Sequence, residues 1–243
     1  MTEPTVATAP QEKSSVFDDL VEITFAPAQV FARRITSGFG TAFFILWILM
    51  SGVLFASRPV FEPVMQAEMA KAREKMTQQN PNLTADQTKI ADKIGGFIAI
   101  AIILVGPPVG MLVLGLVVWL VGRVFGGAVN AGQGMLIGTL AYVPRFLGSV
   151  AVLALSFVMD SSKATSATQL TLSPARFLDP ATAGLTVMSL LSRLDVSVLW
   201  GTAVIAVGYA TIGKMEKGKA WGAAIALWVL GSVPVLLSAL RTG

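Results

Sequence analysis

The 243-residue chain contains no cysteine and no histidine. Those two absences exclude disulfides, thiolate nucleophiles, imidazole metal ligation and the commonest general base. Charge is scarce as well: Asp, Glu, Lys and Arg make up 13% of the residues against 54% apolar ones, and mean hydropathy is +0.71. An ordinary soluble globular domain carries about a quarter charged residues, so this composition points to the membrane instead. The net charge of +4 is spread over short loops with no soluble domain to gather it into a patch, and nucleic acid is not an expected partner. Neither a Walker-type phosphate loop nor a zinc-protease helix occurs. No lysine lies at membrane depth to serve a serine nucleophile as base. The chain therefore reads as non-enzymatic, with no catalytic residue, cofactor or metal.

What is present is uncharged length. Residues 35–57, 96–122, 196–213 and 220–240 run without a single charge, and each is long enough as a helix to cross about 30 Å of hydrocarbon. A fifth run, 134–159, is interrupted only by Arg145. An arginine at mid-helix costs about 2.5 to 3.5 kcal/mol on insertion scales. The twelve Leu, Ile, Phe and Val residues between Gly134 and Met159 together return about 4 to 7 kcal/mol, an upper bound that still covers the cost. The expected fold is an all-α, polytopic membrane helical bundle of five transmembrane helices. It carries an interfacial N-terminal helix and an extramembrane helical hairpin, with residues 14–241 forming one integral membrane domain behind a disordered 1–13 tail.

Residues 1–34 hold five acids and lack a basic start followed by an apolar core, so the first span is expected as an uncleaved signal-anchor. Arg33 and Arg34 immediately before it, with Arg123, Lys214, Lys217 and Lys219 flanking later spans, place the N-terminus in the cytoplasm by the positive-inside rule. Five crossings of the cell membrane then leave the C-terminus outside.

Shorter signals fill in the rest. Phe17, Leu20, Val21 and Phe25 recur at helical spacing opposite Asp18, Asp19 and Glu22, which predicts a short helix at the interface or packed on the spans, ended or bent at Pro27. In the polar excursion 58–93, Phe61, Met65, Met69, Ala72 and Met76 form an apolar stripe, read as the face packed on a hairpin neighbour in preference to a partner-binding groove. Asn80-Pro81-Asn82 breaks that helix, and Thr84-x-x-Gln87 has capping-box spacing for a new one starting near Ala85 and entering the second span. Asp179-Pro180 predicts a short helix ending near Arg193, and Asp195 opens the fourth span.

The candidate functional residues lie where helices are expected to break. Pro107 and Pro108 cannot donate backbone hydrogen bonds, so the second span should kink and leave the carbonyls of Ile103 and Leu104 without helical partners. Pro144 does the same for Leu140, Tyr142 adds a hydroxyl, and Arg145 has no carboxylate partner inside any expected span. Arg145 then has three readings. It bonds the freed carbonyls in the bundle interior, it holds an anionic group such as a lipid phosphate there, or it snorkels to the interface with a purely positional role.

"FAPAQVFARRI" before the first span, "LAYVP" in the third and "LSRLDVSVLWGTAVIAVGYATIGKMEKGKAWGAA" over 191–224, together with the five-span count, resemble the Yip domain (Ypt-interacting-protein-like) family in its bacterial form. The resemblance covers roughly residues 14–240. It implies a cytoplasmic N-terminus, five helices, no known catalytic activity, and structural roles for Pro27, Phe31, Tyr142, Pro144, Asp195, Trp200, Lys219 and Trp221. Eukaryotic relatives act in vesicle traffic with Rab-type GTPases largely through a longer N-terminal region; only about thirty residues precede the membrane here, so a Rab-type GTPase is not an expected partner. The expected role is a scaffold or membrane-organising protein associating with itself or other membrane proteins in the bilayer. The alternative is a small transporter or lipid- or anion-binding protein that uses the broken helices around Arg145.

Overall fold

The computed structural model describes residues 15–79, 85–158, 166–233 and 237. The expected disordered tail, the Asn80-Pro81-Asn82 break with its capping Thr84, and Pro234 lie outside the described residues. Every regular element among the described residues is helical: α1 (Val16–Glu22), α2 (Pro27–Arg34), α3 (Gly40–Ala56), α4 (Arg58–Gln79), α5 (Ala85–Val124), α6 (Ala131–Leu140), α7 (Val143–Ser156), α8 (Pro180–Ala183), α9 (Leu185–Ser192), α10 (Val196–Thr211) and α11 (Lys217–Leu230). Two short 3-10 turns, Ala167–Leu170 and Pro174–Phe177, precede α8.

Two helical stretches suffice by length and apolarity to cross a membrane unaided, Lys93–Val124 and the combined α6–α7 stretch Ala131–Ser156. Two further spans arise if each bent pair counts as one, α3 with the start of α4 (61°) and α9 with α10 (49°). The expected fifth span, 220–240, begins in α11, and much of its second half lies outside the described residues.

α1 is opened by a reciprocal capping box between Ser15 and Asp18. Those hydrogen bonds from Ser15 hold the Asp18 carboxyl below the ordinary carboxylate value. Of the two placements expected for the α1 stripe, the exposure of Phe17, Val21 and Phe25 matches the interface. Leu20, Ile23 and the carboxylate of Asp19 are buried, while Phe17, Val21 and Phe25 are outside. The reason is charge pairing: Asp19 is bridged by Arg33 at 2.8 Å and by Arg34, and Glu22 by Arg33, which clamps α1 to α2. Those bonds, from Glu22 first and Asp19 second, raise the Arg33 pKa above its already high value.

The clamp seats Val30 and Phe31, both fully buried, against α10. α10 is the centre of the bundle, touching α2, α6, α7 and α11. Its Tyr209 is fully buried, and the hydroxyl donates to the carbonyl of Val118 in α5 at 2.7 Å. The turn after α5 is tied to the turn after α10 by Ala128 N–H donating to the Gly213 carbonyl at 3.0 Å, and α6 starts from an Asn130–Gln133 capping box. These turns and α2 form one end of the bundle. At the opposite, distal end, α3 bends into α4, α7 ends, and α10 begins.

α5 and α6 cross at backbone contact because glycines face each other: a Cβ on Gly138 would stand 2.5 Å from Gly115 Cα, and one on Gly134 would stand 2.9 Å from the Gly115 carbonyl oxygen. Gly138→Ala is expected to force the helices apart at a cost of about 1 to 3 kcal/mol, seen as a lower melting temperature in detergent. Gly218→Ala, with open space around its Cβ, serves as the neutral comparison.

Candidate functional site

Of the proline-freed carbonyls, those in α5 have found donors. The indole N–H of Trp47 donates to the Leu104 carbonyl at 2.7 Å, and the Ser51 hydroxyl donates to the Ile103 carbonyl at 3.2 Å. Trp47 and Ser51 lie one turn apart on α3, so one face of one helix serves both orphan acceptors of its antiparallel neighbour. With its carbonyls satisfied, α5 continues as one 40-residue helix through Pro107 and Pro108. A proline in a membrane helix is tolerated when side chains of a neighbour re-satisfy the freed groups. Gly110, the second glycine of Gly106-x-x-x-Gly110, faces the Tyr142 hydroxyl inside the bundle, whereas Gly106 is exposed.

The third span breaks where its proline predicts. α6 stops at Leu140, and α7 restarts at Val143 with Pro144 in its first turn, where no helical donor is needed. Pro144 is buried, Tyr142 half-buried, and Arg145 exposed. The structure brings Arg145 and Tyr142 together, with the guanidinium carbon 5.4 Å from the ring centroid. It does not pair Arg145 with the carbonyls that Pro107 and Pro108 free: Ile103 accepts from Ser51 and Leu104 from Trp47. Among the described residues the Arg145 guanidinium makes no hydrogen bond to protein.

Instead Arg145 lines a cavity of about 320 Å³ at the distal end. One wall is α3 and its bend, with Met50, Leu54 and Ser57; α7 contributes Ser149 and Val152. The third wall, not anticipated from sequence, is Asp195 with Ser192 and Ser197, at the bend between α9 and α10. Asp195 caps α10 through Ser197 N–H at 2.9 Å and reaches back 23 residues to accept from Leu172 N–H at 2.9 Å. One carboxylate thus holds the segment after the first 3-10 turn against the start of the fourth span.

A second arginine at this end is structural. Arg193 donates to the Ser232 hydroxyl at 2.9 Å and to the Trp228 carbonyl at 3.2 Å, and the Trp228 indole donates back to the Arg193 carbonyl at 3.1 Å. This reciprocal lock ties the α9–α10 bend to the end of α11. Its sequence signal was slight: one arginine among many at a helix end, facing partners 35 and 39 residues away.

The carbonyl pairing supplies its own test. Trp47→Phe should cost about 1 to 3 kcal/mol in detergent or bilayer unfolding, because the Leu104 carbonyl loses its donor. Pro108→Ala restores the helical N–H for that carbonyl, so the double variant should recover most of the loss. Additive losses in a double-mutant cycle would show that the two groups do not serve the same acceptor.

Compared with known families, the chain matches the Yip1 domain over residues 21–238. No curated protein and no solved structure matches it. The matched region runs from the last turn of α1 through the spans, both bends and the cavity-lining residues, and takes in nearly the whole sequence. On that coverage, the chain belongs to the Yip1 domain family of membrane proteins.

Proposed function

We propose that the protein is a non-enzymatic membrane organiser that works by lateral helix association in the cell membrane, with its N-terminus in the cytoplasm and its C-terminus outside. The observation that supports this most is the surface of α5. Only 11% of its most apolar stretch is buried in the bundle, against 44% for the α6–α7 span. Ile94, Ile98, Ile102, Val105, Val109, Val113, Leu116 and Leu120 are all exposed along it at intervals of three and four residues. That spacing lays one continuous face along the helix, on which acyl chains or the ridges of a second membrane helix can pack. Gly115, Gly134 and Gly138 pack against one another inside the bundle, so the reading rests on this aliphatic face.

A second reading, a lipid- or anion-binding membrane protein, is favoured by one observation: the free guanidinium of Arg145 at the mouth of the distal cavity.

Because the chain has no cysteine, the first reading is open to single-site crosslinking in native membranes. Ile102→Cys, Val109→Cys and Leu116→Cys, each labelled with a benzophenone maleimide, should give adducts of defined mass, self-linked or to another membrane protein. The fully buried Val118→Cys should give none. Uncrosslinked chain at all three exposed positions would remove lateral association as the function.

A further inference from the structure

The donors and acceptors around the distal cavity are unequally committed. Each hydroxyl facing it has one proton, and each proton is already given to protein: Ser57 to the Val53 carbonyl (2.8 Å), Ser149 to the Arg145 carbonyl (3.0 Å), Thr171 to the Thr168 carbonyl (2.7 Å), Ser192 to the Ser189 carbonyl (2.7 Å) and Ser197 to Asp195 (2.6 Å). These oxygens can therefore only accept from a ligand. Asp195 accepts from Leu172 N–H on one oxygen and from Ser197 N–H and hydroxyl on the other. A carboxylate has about four lone-pair sites, so one stays open, and the negative charge remains. Against this ring of acceptors stands one planar donor fork. The Arg145 guanidinium can only donate, and its contact with protein is the Tyr142 ring. Arg193, the nearby alternative cation, is spent on Ser232 and Trp228.

A simple anion would satisfy Arg145 but sit beside Asp195 and hydroxyl oxygens that present only lone pairs. A simple cation would meet the reverse mismatch. The complementary group carries a phosphate and, a short link away, a cationic nitrogen bearing N–H donors. Met50, Leu54, Val152 and Val198 give the same cavity apolar walls suited to the start of an acyl chain. Depth agrees: Arg145 stands about 21 Å along the α6–α7 axis from Ala131, within a side chain's reach of the distal headgroup layer of a bilayer with a core of about 30 Å.

Building on the lipid-binding reading of Arg145, we propose that this cavity holds the headgroup of a zwitterionic phospholipid bearing a primary amine. Arg145 pairs with the phosphate, and Asp195 with the serine oxygens receives the ammonium. An ethanolamine-type headgroup fits. A choline headgroup, with no N–H, leaves the acceptors unserved, and a glycerol or serine headgroup adds net negative charge beside Asp195.

The test uses the full chain in nanodiscs of phosphatidylcholine doped with phosphatidylethanolamine, its N-monomethyl or N,N-dimethyl derivative, or phosphatidylglycerol, read by native mass spectrometry of retained lipid and by melting temperature. Retention should be highest for the ethanolamine lipid and fall with each methyl added. Arg145→Gln should weaken it about tenfold or more, the loss of a charge-assisted hydrogen bond, and Arg145→Lys should restore part. The methylation series needs only the unaltered protein, so it decides even if Arg145→Gln fails to fold. Phosphatidylglycerol or inorganic phosphate bound as well as the ethanolamine lipid would overturn the zwitterion assignment while leaving an anion site at Arg145. Retention indifferent to headgroup and to Arg145→Gln would overturn both.

Discussion

Inside hydrocarbon there is no water to accept a misplaced backbone group, and much of this bundle is arranged around that constraint. Two consecutive prolines in the middle of α5 create two carbonyls that the helix itself cannot serve. Trp47 and Ser51 serve them, and in doing so fix the depth and rotation of α3 against α5. Once α3 is set, its bend at Ser57 and its packing on α7 define one wall of the distal cavity. The same economy recurs at Tyr209, whose hydroxyl is buried against α5 yet paired with a backbone oxygen.

The two ends of the bundle solve different problems. At the N-terminal end, charge is drawn inward: Asp19 is buried between Arg33 and Arg34, and α1 and α2 are held together by that clamp before Phe31 reaches the core. Asp19 has two arginine partners and Arg33 two carboxylates, so the loss of either arginine still leaves the buried carboxylate paired. At the distal end, polar side chains hold bends. Asp195 ties a loop to a helix start, and Arg193 ties the same bend to α11.

The helical class, the membrane setting and the break in the third span were legible in the sequence, because hydropathy, charge gaps and proline chemistry are local properties. So was the existence of orphan carbonyls at Ile103 and Leu104. Their partners were not legible, since Trp47 and Ser51 are more than fifty residues away and only the α3–α5 pairing selects them. The helical periodicity of α1 set out the stripe of Phe17, Val21 and Phe25 and left open whether it meets the interface or the spans. The pairing of Asp19 with Arg33 and Arg34 turns Asp19 inward, a tertiary effect that periodicity does not carry. Asp195 looked like a simple helix cap, and its second role toward Leu172 depends on a loop conformation.

The continuity of α5 has a mechanical consequence. Forty residues of unbroken helix make a rod of about 60 Å, roughly twice the thickness of the hydrocarbon it crosses. It is tied near its middle by the two α3 side chains and farther along by Tyr209, so the half toward Val124 is the half fixed in the bundle, and the Ala85 end extends well past the nearest of these ties.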